Sequence, residues 1–275
     1  MTNDSRLFRT EPGPGRLPLI EGKMFHQFAS GYAQPKYWLE QTEARAALLR
    51  SRLSGLRRMA AGIAIDEDRI AALLRFDHES YRFAFRAVAR NTDERTFIAT
   101  VLPPQLFCPH SVSLEAVFHD QVVDGALRLN QSGMNDPARL FLAGVLNSFL
   151  ADYLLRQRVT ANLSFFFVYN APVPRLAAAD PRFAPIVTRA ARLICTTPVF
   201  DDLARAAGLR DHRDGATDMA ERQKLRAELD GLVAHLYELT EAEFAHILTA
   251  FPLVPEPVKA ATNKAYLDVA NGLIN

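Results

Sequence analysis

Cysteine is nearly absent from this sequence. Cys108 and Cys195 are the only two, and neither belongs to a CxxC or to a Cys/His cluster. That excludes a disulfide framework and a cysteine-based zinc site, and it predicts two reduced, buried thiols in a cytoplasmic protein. Long hydrophobic runs are missing as well. The best candidate, Leu140 to Leu155, is interrupted by Asn147, Ser148 and Asp152, short of the roughly 20 apolar residues that a membrane span requires. The first thirty residues carry charges and three prolines, so they do not read as a secretory signal. Nor does one sign of charge dominate: 32 basic residues face 31 acidic ones, a net charge of +1. Lysine is scarce, at 5 against 27 arginines. Codon usage in a GC-rich genome produces that bias without any functional cause. Arginine also suits bidentate contacts with phosphates and guanine edges. Composition leaves both readings open.

The usual catalytic signatures are missing too. There is no GxGxxG after a strand, no Walker loop, no HExxH and no GxSxG elbow. Seven histidines are scattered. His235 with Glu238 and Glu243 with His246 are isolated helical pairs, so no metal site is expected. The acidic clusters Asp66-Glu67-Asp68 and Asp201-Asp202 are expected at helix starts, where they complement the dipole.

What is present is enough for a real core: 275 residues, 49% of them apolar. Residues 1–21 read as an extended arm, because Glu11-Pro12-Gly13-Pro14-Gly15 holds neither a helix nor a central strand. Lys36 to Ala61 has helical spacing and a basic face of Arg45, Arg50, Arg52, Arg57 and Arg58; such a face is solvated or rests on DNA. Asp66 to Phe76 reads as a short helix. Strands are expected at Tyr81–Val88, Phe97–Leu102 and Val112–His119, then a hairpin turn at Asp124-Gly125. Pro137 to Arg158 is apolar nearly all round and reads as one core helix, with Asn147 as a satisfied core polar group. Leu163 to Tyr169 reads as a buried strand stopped by Pro172 and Pro174, and Phe165–Phe167 therefore as core.

Beyond Pro181 only helices are predicted: Ile186–Cys195, Val199–Ala207, Asp218–Leu239, a helix opened by the Thr240/Glu243 capping box, and Val258–Leu273. The fold class is thus α+β, a mixed sheet-and-helix domain over 1–176 followed by a helical region over 177–275.

Four segments, in order, resemble one family. The first is Leu17-Pro18-Leu19-Ile20-Glu21-Gly22-Lys23-Met24-Phe25-His26-Gln27-Phe28, followed by Pro35, Tyr37 and Trp38. The second runs from Arg86 through Ala89, Thr92, Arg95, Thr96, Ile98 and Ala99 to Pro103-Pro104. The third is Leu146-Asn147-Ser148-Phe149 with Asp152-Tyr153, then Asn162 to Phe167 and Pro172-Val173-Pro174. The fourth is Arg226 to Leu248. Together they are similar to the C-terminal target-recognition region of type IIG restriction–modification enzymes and of BREX- or DISARM-type N6-adenine DNA methyltransferases.

The resemblance implies a region that clamps double-stranded DNA and reads its bases. A methyltransferase catalytic domain, in cis or in trans, would flip an adenine and methylate it from S-adenosylmethionine. This chain departs from an active methyltransferase: Leu102 and Gln105 flank Pro103-Pro104, where the catalytic loop needs Asn or Asp before and an aromatic ring after. The chain alone is therefore expected to bind no cofactor and to be non-catalytic, a fragment or a split subunit.

Candidate DNA contacts are Lys23, Gln27, Arg86, Arg90, Asn91, Arg95 and Thr96, with His26 beside them. The alternative for the turn is an ion-pair network of Arg90, Asp93 and Arg95. The alternative for the whole chain is a protein-interaction scaffold that docks a methyltransferase or another defence subunit.

Overall fold

Pro12, Pro14 and Gly15 keep the N-terminal segment extended, yet it does not lie free. In the computed structural model, which describes residues 5–63, 65–159 and 162–275, strands β1 (Phe8–Arg9) and β2 (Arg16–Leu19) flank β3 (Tyr37–Glu40) in an antiparallel sheet. The first four residues of the expected arm lie outside the described ones. The strand β3 replaces the start of the helix expected from Lys36, and α1 (Gln41–Met59) begins directly after it. Leu19 and Leu39 of this sheet pack on Ala44 and Phe107. The short helix α2 (Glu67–Leu73) starts one residue after its cap, Asp66, whose carboxylate accepts the Arg69 amide.

A second antiparallel sheet has β4 (Arg82–Arg86) at its centre, between β5 (Ala99–Leu102) and β6 (Val112–Leu114). The period-two pattern of β4 suggested one wet face, but both faces are covered. Phe83 and Phe85 point into the main helical core. Ala84 points the other way, against Ile20, Met24 and Phe25 of the N-terminal segment. Arg82, at 3% exposure, donates to the Leu106 carbonyl at 2.7 Å. The strand expected over Val112–His119 is broken between β6 and β7 (Phe118–Val123). There Glu115 turns inward to accept the Phe83 amide and to pair with buried Arg139 at 2.7 Å. β7 and β8 (Ala126–Ser132) form the expected hairpin. Asp124 (φ 51°) and Gly125 (φ 72°) are both left-handed, the conformation a two-residue type I′ turn demands.

The expected single core helix is two: α3 (Asp136–Leu146) and α4 (Phe149–Arg156), bent by 66°. Asn147 ends the first and Ser148 caps the second by accepting the Ala151 amide. No single helix among the described residues is long and apolar enough to cross a membrane.

Residues 165–169 are not a strand. They form a short helix, α5 (Phe165–Tyr169), with Phe166 70% and Tyr169 79% exposed. Aromatic residues favour strands only where a pleated, half-buried surface receives them, and Ser164 starts a helical turn here instead.

The remaining helices are α6 (Phe183–Ile194), α7 (Asp201–Ala206), α8 (Met219–Leu236), α9 (Glu241–Thr249) and α10 (Glu256–Ala270). Asp218 caps α8, and the Thr240/Glu243 capping box opens α9 as expected. Gly231 lets α10 lie against α8: a Cβ there would stand 2.9 Å from the Ala265 carbonyl carbon. The main core runs from Phe28 through β4, β5, α3 and α6 to Tyr266, crossing residue 176. The fold is α+β, with small antiparallel sheets beside a helical mass. Both cysteines are buried free thiols, and burial pushes each up to about 12.

Candidate nucleic-acid interface and the polar network behind it

A carboxylate in a protein interior needs partners for its charge. Asp152 is fully buried on α4. One of its oxygens accepts the Thr96 amide at 2.9 Å, the Phe97 amide at 3.2 Å and Arg95 Nε at 3.1 Å. Its other oxygen accepts Arg156 Nε at 3.0 Å, four residues along the helix. The two guanidinium planes lie on aromatic faces, Arg95 over Phe149 at 4.1 Å and Arg156 over Phe251 at 3.8 Å.

Gln27 joins the same network, donating to the carbonyls of Phe97 at 2.9 Å and Asn147 at 3.3 Å. Asp230 on α8 accepts the first amide of α4, Phe149 N–H, at 2.7 Å. Arg226 donates to the Gln27 carbonyl at 3.0 Å, while its Nε has no partner.

His26, Gln27, Arg95, Asn147, Arg226 and Asp230 together line an inner cavity of about 360 Å³. Burial raises Asp230 to about 6 and lowers Arg226 to about 10. His26 is lowered to about 4, by burial first and then by Arg86, Arg226 and Arg95.

All four segments singled out in the sequence meet in this network. That corrects three of the expected DNA contacts. Gln27 is 3% exposed and Thr96 2%, and the Arg95 side chain is 9% exposed. Their polar atoms are committed to interior carbonyls and to Asp152, so they do not form a surface for a duplex. The alternative network of Arg90, Asp93 and Arg95 does not form either, since Arg95 turns to Asp152. Asn147 is the satisfied core amide that was expected.

The other candidates lie outside. Lys23, Arg86 and Arg90 line one groove of about 420 Å³ with Val88, Glu21 and Asp93. Lys23 pairs with Glu21 at 3.1 Å and remains 62% exposed. Arg86 holds the Phe25 carbonyl from Nε at 3.1 Å. Arg90 is exposed, and among the described residues its guanidinium has no hydrogen bond or ion pair. A close approach shapes the floor: a Cβ on Gly22 would sit 2.7 Å from the Ser111 carbonyl oxygen. Three cations against two carboxylates give the groove a small positive excess. Asn91 is exposed on a neighbouring hollow with Thr92, Asp93 and Arg156.

Sequence reasoning missed Arg226 and Asp230 as partners of this network. The spacing of four between Arg226 and Asp230, like that between Asp152 and Arg156, was the local signal available. The basic face of α1 is mostly paired, with Arg52 held by Asp120 at 2.6 Å, Arg45 by Glu79 and Arg57 by Glu67. Among the described residues Asp201, Asp211 and His212 come within 4.8 Å of one another. Asp201 already accepts the His212 amide, and Asp211 pairs with Arg213, which explains the cluster as a local turn.

No family model and no curated protein matches the chain. Among solved structures it is similar to the Type IIL restriction-modification enzyme MmeI in complex with DNA, with a TM-score of 0.42 and 13% identity. That similarity covers 98% of this chain and 34% of the other, so the chain spans about a third of that enzyme's length.

Proposed function

We propose that this chain is the DNA-binding, target-recognition part of a restriction–modification or phage-defence adenine methyltransferase. In this reading a catalytic domain outside the chain carries S-adenosylmethionine and the methyl transfer. The observation that carries the proposal is the groove of Lys23, Arg86 and Arg90, in which Arg90 is exposed with no partner among the described residues. A free guanidinium beside a half-paired lysine is suited to phosphate contact. The four ordered motif segments support the family assignment. Their convergence on the Asp152 network gives Gln27, Arg95 and Thr96 a structural role and leaves contact with DNA to the groove.

The test is fluorescence anisotropy of the chain with a random duplex across a salt series. Each phosphate contact steepens the slope of log K against log salt by about 0.9. The groove therefore predicts a slope of about −2 to −3, and Arg90→Ala reduces its size by about 1. A folded chain that binds no duplex at low salt rejects this reading and leaves the docking-scaffold alternative. Among the exposed apolar residues beyond Pro181, Val199, Met219, Leu253 and Leu273 stand at four separate turns and element ends, and Leu267 lies on α10.

A further inference from the structure

The exposed aromatic rings of α5 are the largest feature that the proposed function leaves unused. Phe165 is 38% exposed, Phe166 70% and Tyr169 79%. Phe167 and Val168 face inward and pack on the main core, so the helix is anchored on one side and bare on the other. The rings of Phe165 and Tyr169 stack at 5.5 Å with 24° between their planes, and Phe165 meets Phe85 of β4 edge-on at 5.3 Å.

The chain leading into α5 is tied to the end of the strand that carries the groove. Leu163 N–H donates to the Ala87 carbonyl at 2.8 Å, and Asn162 bridges Val88. Val88, itself 59% exposed, lines the groove with Arg86 and Arg90. Only Leu163 and Ser164 thus separate the aromatic helix from Asn162, which pairs with a residue of the groove that Lys23 and Arg90 line.

We infer that Phe166 and Tyr169 stack on unpaired bases of a nucleic acid whose backbone runs along Lys23 and Arg90. The inference rests on the DNA-binding reading and goes beyond it, because it assigns a preference for bases out of the duplex stack. Two observations favour a nucleic acid over a protein partner. The rings are aromatic and not aliphatic, and every base offers a π-face to such a ring. The groove at the strand end carries the exposed Arg90 guanidinium and a lysine that is 62% exposed, which match phosphates.

The experiment uses the full chain with three probes: a matched duplex, the same duplex with a three-nucleotide bulge containing 2-aminopurine, and a single-stranded oligothymidine. Wild type is expected to bind the bulged duplex about tenfold more tightly than the matched one and to quench the 2-aminopurine. Phe166→Ala/Tyr169→Ala is expected to bring the bulged duplex down to the matched level while leaving the matched duplex unchanged. Circular dichroism melts of both proteins establish that the exposed substitutions leave the fold intact. Equal binding of matched and bulged duplex by wild type overturns the inference and leaves the DNA-binding reading standing. A double variant that keeps the bulge preference also overturns it. A dimer that the double variant dissolves, with DNA binding untouched, assigns the rings to self-association instead. No binding to any of the three probes rejects both readings together.

Discussion

The side chain of Asn147 takes the place of a missing strand beside Ala99. Its Oδ1 accepts the Ala99 amide at 3.0 Å, and its Nδ2 donates to the Ala99 carbonyl at 2.9 Å. β5 is an edge strand of its sheet, and this pairing satisfies one residue of that edge in the dry interior. Asn147→Ala leaves the buried Ala99 amide without a partner, while the Ala99 carbonyl keeps the Phe28 amide at 3.1 Å, at a cost of about 1–3 kcal/mol. Urea denaturation reads this as a lower midpoint with an unchanged m-value.

Arg95 and Arg90 lie five residues apart and should separate cleanly. Arg95→Ala removes one of the two guanidinium partners of buried Asp152 and is expected to destabilise the fold by about 2–4 kcal/mol. Arg90→Ala leaves stability within about 0.5 kcal/mol and weakens DNA binding instead. Thermal melts beside anisotropy decide it. A destabilised Arg90→Ala would mean that Arg90 has a structural role too.

Two groups in the inner cavity give opposite pH dependences. Asp230 titrates near 6 in the folded chain, above its unfolded value, so its contribution is full at low pH and is lost as pH rises through about 6. His26 titrates near 4, below its unfolded value, so its contribution is full above about 6.5 and is lost as pH falls toward 4. The two slopes should therefore partly offset each other in the wild type between pH 4 and 6.5, with that of Asp230 the larger. Asp230→Asn keeps an acceptor for the Phe149 amide and removes the acid, exposing a stability that rises with pH. His26→Gln exposes the reverse slope. The contribution of Asp230 is about 1–3 kcal/mol; that of His26 is smaller, because its ring is only partly buried. Denaturation series at four pH values on the three proteins measure both.

Gly231→Ala places a methyl group 2.9–3.0 Å from the α10 backbone at Ala265 and Tyr266. Backbone there has nowhere to move without parting α8 from α10, so a loss of about 1–3 kcal/mol is expected. Alanine at Gly55, where nothing stands within 4 Å of a Cβ, is the control and should be neutral or stabilising.

The sequence carried α8 and α9 well, because Asp218 and the Thr240/Glu243 pair mark their starts with local chemistry. It carried the Asp124-Gly125 turn for the same reason. The break between α3 and α4 was also legible in principle, since Ser148 is a good helix cap within the apolar run. What local pattern cannot carry is long-range pairing. Arg95 in a polar turn reads as a solvent-facing cation, and only the position of Asp152, 57 residues on, turns it inward. Phe165–Tyr169 misled because aromatic content suggests a strand, whereas the absence of a partner strand leaves a helical turn. Lys23, Arg86 and Arg90 do line one groove, although the sequence places Lys23 more than sixty residues from the other two.

The bonds from α8 to the N-terminal segment join distant parts of the chain: Arg226 to the Gln27 carbonyl spans 199 residues, and Arg222 to the Phe28 carbonyl spans 194. During biosynthesis at about 5–20 residues per second, Gln27 waits roughly 10–40 s for the helix that closes over it. For that interval Gln27 and the apolar ring of Phe28 are outside the ribosome without the helix that will close over them. The nascent chain should need a chaperone's protection through that interval.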